Sequence, residues 1–509
     1  MDLSKNARRA ILFAVCSVFA LVRVWDLTSS CLWFDEIFSV HAAEHSWDSL
    51  FGFVAQDVIH PPFFYFLLKL WIAAGGESLF WLRFFPFFFS IIAPVPFLLL
   101  CREMKLRFST VLIALSFFAV NGSLIKYAQE VRMYSLFLCI SLFSMWLFAR
   151  FFNRGKDFWL LTIINILLVY THYFGWLLVL SEVVAILFLQ RIKIGRVLLM
   201  FAITLVCFLP WVFTIIRFSA VNSDIKQNIG WIAKPGFSSI FELAVDVIEP
   251  FYYQQSSAEP TSIFLISIPI LLLIAAAAIV FSTDLKNGEE KSGIYVLALL
   301  SFVPIMIAFI ASWLLPVSVW GSRHLIIIFA PIMILIAVFL TQLKPKFMQI
   351  VIVPLVFLLF GVAFVIRFNN KQPHFIWCAW ENLAADLRTG EKDSAELTKI
   401  YVFEDLVAYH LWFALRDSDK FEVNVVKGVG GLAEDTAYFL PRGFDDVKTT
   451  DENVFSGDSF WIAFRAQAWQ PTSPPLSNLI SKGYTPGEPL FLEAGNEKAF
   501  LVEVKKTER

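Results

Sequence analysis

Uninterrupted apolar runs of about 18 residues or more recur between residues 8 and 367 of this chain, and runs of that length mark membrane-spanning helices. Hydrophobic residues make up 58% of its 509 positions, with 56 Phe and 17 Trp, a load that a soluble chain does not carry. The formal net charge of −1 leaves no basic footprint for a nucleic-acid partner. Arg8, Arg9 and the run 10–24 look like the charged and apolar parts of a signal peptide. The small-residue cleavage pattern is missing, so the expectation is an uncleaved first transmembrane helix.

The candidate spans are 8–25, 83–101, 109–127, 133–150, 158–171, 174–190, 197–216, 262–281, 294–315, 324–343 and 348–367. Segment 61–74 is apolar but short, carries Lys69 and stops at Gly75-Gly76, which suits an interfacial helix better than a span. With that segment not crossing, the clusters Lys5/Arg8/Arg9, Arg102/Lys105/Arg107, Arg150/Arg154/Lys156, Arg191/Lys193/Arg196, Lys286/Lys291 and Lys344/Lys346 all fall on one face, the cytosol. Counting it as a span turns every cluster after the first outward. The expected topology is therefore eleven spans with the N-terminus cytosolic and the C-terminus outside.

This predicts an all-α membrane domain at 1–367 and a small soluble extracytoplasmic α/β domain at 368–509. In the tail, 383–387 reads as helix-like, while 399–403, 421–426, 459–464 and 499–504 alternate like strands. The tail shows no nucleotide loop or catalytic motif. The six cysteines show no metal-ligand spacing or disulfide ladder. Cys31 and Cys378 both fall outside the cytosol in this topology, but no bond between them is expected, because connectivity cannot be read from sequence.

Four external loops bring ionisable groups to one membrane face. The first loop offers Asp35, Glu36, His41 and His60. The second offers Lys126, Gln129, Glu130, Arg132 and Tyr134, the third His172 and Tyr173, and the last Arg323 and His324. Each has a plainer reading. Asp35 could cap a helix, His60-Pro61-Pro62 could open an interfacial helix, and Lys126 with Glu130 could be a helical ion pair. Arg132, His172 and Tyr173 could be interface anchors. Arg323 could be a snorkelling interface residue, but a cation at a helix N-terminus is unfavourable unless an anion lies nearby, and a phosphate would satisfy both the arginine and the free backbone N–H groups. Paired carboxylates suit activation of a hydroxyl, directly or through a divalent metal.

Trp33-Phe-Asp35-Glu36, His60-Pro61-Pro62, Arg83-Phe-Phe-Pro86, Gln129-Glu130-Val-Arg132-Met-Tyr134 and Ser322-Arg323-His324 together resemble the motif order of GT-C polytopic glycosyltransferases. The branch is similar to protein O-mannosyltransferases and lipid A aminoarabinose transferases, and the resemblance covers about residues 1–345. It implies inverting transfer of a sugar from a polyprenyl-phosphate donor to a lipid, glycan or protein acceptor, at the extracytoplasmic face of an inner membrane. Asp35 would be the catalytic residue supported by Glu36, and Arg132 and Arg323 would hold the donor phosphate. His60, Gln129, Glu130, Tyr134, His172, Tyr173 and His324 would line the pocket. Some members use a divalent metal, for which Asp35, Glu130 and His172 are the candidate ligands. Two departures weaken particular substrates. The aminoarabinose transferases carry a differently charged motif where this chain has His-Pro-Pro, and the luminal repeats of eukaryotic O-mannosyltransferases are not evident. Two other functional classes stand beside this reading, a transporter or flippase of lipid-linked saccharides and a non-catalytic subunit of an envelope assembly. No convincing internal repeat supports a transporter.

Overall fold

A computed structural model describes residues 4–57, 59–219, 232–251, 264–280, 282–283, 288–369, 376–390, 397–427, 447–451, 455, 457–494 and 497–507. Parts of the expected external loop 217–261, together with Lys286, lie outside the described residues. In chain order the first 219 residues contain α1 (Lys5–Val24), α2 (Phe34–Glu44), α3 (Trp47–Asp57), α4 (Phe63–Gly75), α5 (Leu79–Ile92), α6 (Pro94–Glu103), α7 (Phe108–Val120), α8 (Gly122–Gln129), α9 (Tyr134–Arg154), α10 (Phe158–Thr171), α11 (Gly175–Leu189) and α12 (Ile194–Ser219). The apolar helices Phe264–Val280, Gly288–Leu314, Phe329–Gln342 and Lys346–Asn369 follow.

Each of the eleven candidate spans coincides with helix, but the count of eleven crossings is finer than the architecture supports. Five helical stretches among the described residues are long and apolar enough to cross a membrane: Leu79–Glu103, Tyr134–Arg154, Arg191–Phe218, Lys291–Leu314 and Lys346–Asn369. Phe108–Val120, Phe158–Thr171, Gly175–Leu189, Ile266–Val280 and Ile326–Gln342 are shorter. The predicted span 109–127 is interrupted at Asn121, whose side-chain oxygen accepts from the Leu124 N–H and caps α8.

Cations inside this apolar framework bind helix ends. Arg23 is fully buried near the end of α1. It donates to the Phe118 and Ala119 carbonyls in the last turn of α7, and to Ser90 Oγ on α5. Carbonyls in a last helical turn lack intrahelical partners, so this guanidinium caps α7 while tying three helices together. Lys69 does the same for α2, donating its ammonium to the Ala43 and His45 carbonyls. That accounts for a charge inside the otherwise apolar α4. At 13 residues and about 1.5 Å per residue, α4 falls well short of a roughly 30 Å hydrocarbon core. It folds back onto α5 through Trp71 and Trp81, whose rings stack at 4.5 Å and whose indole N–H groups donate to each other's carbonyl. Gly75 is needed at this turn, because a Cβ there would lie 2.2 Å from the Trp81 ring.

The C-terminal region is α/β. After a short pair, β1 (Ser282–Thr283) with β2 (Leu343–Lys344), come β3 (Thr398–Val402), β4 (Phe421–Lys427), β5 (Lys448–Asp451), β6 (Ser459–Ala466), β7 (Tyr484–Pro486), β8 (Leu490–Ala494) and β9 (Glu497–Lys506). They form one sheet in the order β5-β4-β3-β6-β9-β7, with β8 also on β9. β3 pairs parallel with β4 and with β6, while β9 runs antiparallel to β6. The helix Asp405–Leu415 supplies the crossover that the parallel β3–β4 pair requires. The four strands and the helix expected in the tail are present, the helix as Ile376–Gly390. One expectation is corrected: Cys31 and Cys378 are joined in a disulfide, across a sequence separation of 347 residues.

Candidate active site

The part of the first loop that carries Asp35 and Glu36 folds as a short buried helix. Trp33 caps α2, and Glu36 reaches back to accept from the Trp33 N–H at 3.1 Å. The helix cap is therefore Trp33 with Glu36, not Asp35. Asp35 occupies the first turn, where a negative charge is favoured by the helix dipole, and its side chain is partly exposed. Glu36 is 1% exposed, and both its oxygens are engaged. One accepts from Trp33 N–H and from Arg83 at 3.2 Å, the other from Val131 N–H at 2.8 Å. Neighbouring carboxylates thus have separate surroundings: Glu36 locks α2 to α5 and to the turn before α9, while Asp35 is left facing two cations.

Those cations come from distant segments. Arg132 is buried and anchored by Nη1, which donates to the Asp35 carbonyl at 3.0 Å and to Ser39 Oγ at 3.1 Å. Its Nη2 lies 4.0 Å from the Asp35 carboxylate. Arg323 Nη1 lies 3.8 Å from the same carboxylate oxygen. Arg323 sits in the turn preceding the helix Phe329–Gln342, and the adjacent Ser322 hydrogen-bonds Asp246 on the helix Phe237–Ile248. Burial pushes the Asp246 carboxyl up to about 6, against the pull of the Ser322 hydrogen bond. Asn121 Nδ2 in turn donates to the Asp246 and Val247 carbonyls, holding that helix in place.

The predicted histidines gather beside Arg132. The His60 and His172 rings are 5.6 Å apart, and those of His172 and His324 5.5 Å. His60 Nε2 is 3.5 Å from Arg132 Nη2, and His172 Nδ1 accepts from the Phe174 N–H at 3.1 Å. His60 Nδ1, His172 Nε2, His324 Nδ1 and the Tyr65 hydroxyl are buried without a hydrogen-bond partner. Buried polar atoms are normally satisfied, so four orphans in one region point to groups a ligand or water would meet. Burial is the largest cause holding all three histidines well below the usual value of 6.5, with Arg132 next for His60 and Arg323 next for His324.

They are therefore neutral at pH 7 and carry a stability cost in acid. A depressed histidine takes up its proton in the unfolded chain first, so stability falls as pH drops below 6.5, by up to about 1.4 kcal/mol per pH unit for each residue. Melting temperature is expected to decline between pH 7 and pH 5, and replacing His172 with Gln should flatten that decline. A profile unaltered by the substitution would contradict buried neutral imidazole at this position.

The other predicted pocket residues have contacts of their own, and Tyr134 is the largest influence on the Arg323 guanidinium. Gln129 donates to the Arg23 and Trp25 carbonyls at the end of α1. Glu130 lies 3.6 Å from Lys126, the plain helical pairing. Tyr134 lies against Tyr127, with ring centroids 4.7 Å apart, and 6.2 Å from His172. The Tyr173 hydroxyl accepts from Trp211 Nε1 at 3.1 Å. The cation ligands expected at Asp35, Glu130 and His172 do not assemble. Among the described residues no three His, Cys, Asp or Glu side chains gather to hold a metal, and Asp35 meets two guanidiniums instead.

Several site residues were missed in the sequence. Arg83, the first residue of Arg83-Phe-Phe-Pro86, binds Glu36, the Leu27 and Cys31 carbonyls and Ser30 Oγ. Its signal was a cation inside an apolar helix, which has to find a partner. Asp57 lies 3.8 Å from His60, and Tyr65 is fully buried on α4. Neither stands out in sequence, since an acid ending a loop helix and a tyrosine in an aromatic run are ordinary.

Neither a protein-family model nor a curated protein sequence matches the chain. Solved structures do. ArnT from Cupriavidus metallidurans bound to undecaprenyl phosphate superposes with a TM-score of 0.56 at 11% identity, covering 98% of this chain and 98% of that one. The apo form of the same ArnT gives 0.57 at 11% identity, over 96% of this chain and 97% of that one. Likeness at this identity concerns fold, and it extends through the membrane helices and the C-terminal sheet together. The chain is a multi-pass membrane protein with the fold of ArnT.

Proposed function

We propose that this protein is an integral-membrane glycosyltransferase that moves a sugar, with inversion, from a polyprenyl-phosphate donor to a hydroxyl on a lipid, glycan or protein acceptor. The observation that carries the reading is the partly exposed Asp35 carboxylate held between Arg132 and Arg323, in a fold shared with a protein whose structure holds undecaprenyl phosphate.

In this reading the Asp35 carboxylate accepts the proton of the acceptor hydroxyl as its oxygen attacks the anomeric carbon. The bond from that carbon to the phosphate oxygen breaks, and polyprenyl phosphate leaves with the electron pair. A single displacement inverts the anomeric centre. Arg132 and Arg323 stabilise the charge that grows on the leaving phosphate, and arginine suits that task because it stays charged and presents paired donors. Glu36 is a positioning residue, since its oxygens are occupied by Trp33, Arg83 and Val131. The orphaned nitrogens of His60, His172 and His324 and the Tyr65 hydroxyl offer neutral hydrogen-bonding groups for the sugar.

The site and the 368–509 domain are assigned to the extracytoplasmic side of the inner membrane, with the N-terminus cytosolic. The clustering of positive charge supports this, and the Cys31–Cys378 bond is of the kind that persists in oxidising compartments.

The test uses the full-length protein in lipid nanodiscs with undecaprenyl phosphate as probe. Native mass spectrometry should show binding, and Arg323→Ala should weaken it by roughly tenfold to a hundredfold, the worth of one charge-assisted hydrogen bond. Unchanged affinity would remove Arg323 from the donor site.

A further inference from the structure

The helix that carries Asp35 is held from both sides. Glu36 and Ser39 face the membrane helices through Arg83, Val131 and Arg132. On the other side α2 meets the C-terminal α/β region along its whole length. Three residues before its first turn, Cys31 is bonded to Cys378 on the helix Ile376–Gly390. Along its face, the Phe34 ring packs edge-on against Tyr409 at 5.6 Å, and His41 against Trp412 at 4.8 Å, both on the helix Asp405–Leu415. Phe34 and His41 are seven residues apart, two helical turns, so both lie on one stripe. At its far end, Glu44 meets Arg416 at 3.3 Å, and Arg416 also donates to Glu77 at 2.8 Å. His41 Nδ1 lies 3.4 Å from Glu44 and continues the chain of contacts.

A covalent tie at one end, an ion pair at the other and aromatic packing between them exceed what anchoring a tail would need. They fall on the one helix whose displacement would move Asp35 relative to Arg132 and Arg323. We propose that the C-terminal α/β region is a clamp on α2, in which the Cys31–Cys378 bond and Arg416 act as positioning residues that set Asp35 against its two arginines. The inference rests on the reading of Asp35 as the base, and it assigns the tail a part in catalysis without any residue of it touching substrate.

The clamp is tested on the full-length protein in nanodiscs with Arg416→Ala, Arg416→Lys and the double substitution Cys31→Ser/Cys378→Ser. Hydrogen–deuterium exchange at residues 33–44 reads the clamp without reference to catalysis. Both disruptive variants should exchange faster there, with protection of the membrane helices kept. In sugar transfer from a polyprenyl-phosphate sugar, kcat should fall by about tenfold to a hundredfold, the effect of a displacement near 1 Å. The donor KM should stay within roughly twofold, because neither variant touches the arginines. Arg416→Lys should restore part of kcat, which a merely structural loss would not show. Native exchange at 33–44 in both disruptive variants would overturn the clamp. So would native kcat with altered exchange, since α2 would then move without consequence. Absence of transfer by the unsubstituted protein would instead defeat the glycosyltransferase reading and leave the exchange result to decide the clamp. Should Arg416→Ala fail to fold, Glu44→Gln, which removes the same ion pair from the α2 side, carries the comparison.

Discussion

Asp35→Asn is expected to lower kcat for sugar transfer by about 10²- to 10⁴-fold, the usual contribution of a positioned base, without weakening the donor. Asparagine keeps the shape of the side chain and can still accept a hydrogen bond, but it cannot take the acceptor's proton. It also removes the negative charge that lies 3.8–4.0 Å from Arg323 and Arg132. A bound phosphate competes with that carboxylate for the same two guanidiniums, so affinity for undecaprenyl phosphate should hold or rise. The expected signature is thus a collapse of turnover with undiminished donor binding, opposite to that of Arg323→Ala. Full turnover in Asp35→Asn would end the catalytic assignment. Loss of donor binding in parallel with turnover would make Asp35 part of the binding site instead.

Arg83→Ala should have the largest effect on the folded state, about 3–5 kcal/mol, the cost of removing one partner from a buried ion pair. The substitution strands the Glu36 carboxylate, which is 1% exposed, and releases the Leu27 and Cys31 carbonyls together with Ser30. Those groups define the loop that delivers α2 to the site. Melting temperature in detergent should fall sharply, and the monodisperse fraction with it. Glu36→Gln should cost less, because its amide oxygen can still accept from one of the two N–H groups, and the Arg83 guanidinium, though it loses its counter-ion, keeps the Leu27 and Cys31 carbonyls and Ser30 Oγ as acceptors. An unchanged melting temperature for Arg83→Ala would show that the Arg83–Glu36 contact does not stabilise α2.

The membrane helices were legible because their signal is local: a continuous apolar run identifies itself without knowledge of its neighbours. The tail's strands were legible for the same reason, through alternation. The number of crossings was less so, because Asn121 and the short helices after Arg107, Asp157 and Phe174 divide apolar sequence without changing its average hydropathy. Arg323 stands out in the sequence because a cation at a helix N-terminus demands an anion, and that demand is visible in one dimension. Which partner it takes is not. Gln129 and Glu130 share a motif with Arg132, yet one binds the end of α1 and the other Lys126.

By itself, the sequence determined that this chain packs apolar helices in a membrane and ends in an α/β fold, since hydrophobic periodicity is a property of contiguous residues. Only the tertiary structure decided that Glu36 is buried by Arg83 while its neighbour Asp35 faces two arginines, that Cys31 meets Cys378, and that the tail grips α2. Those outcomes join residues tens to hundreds of positions apart, and the free energy of a buried charge or a closed cross-link depends on where both partners finish, which no local pattern records.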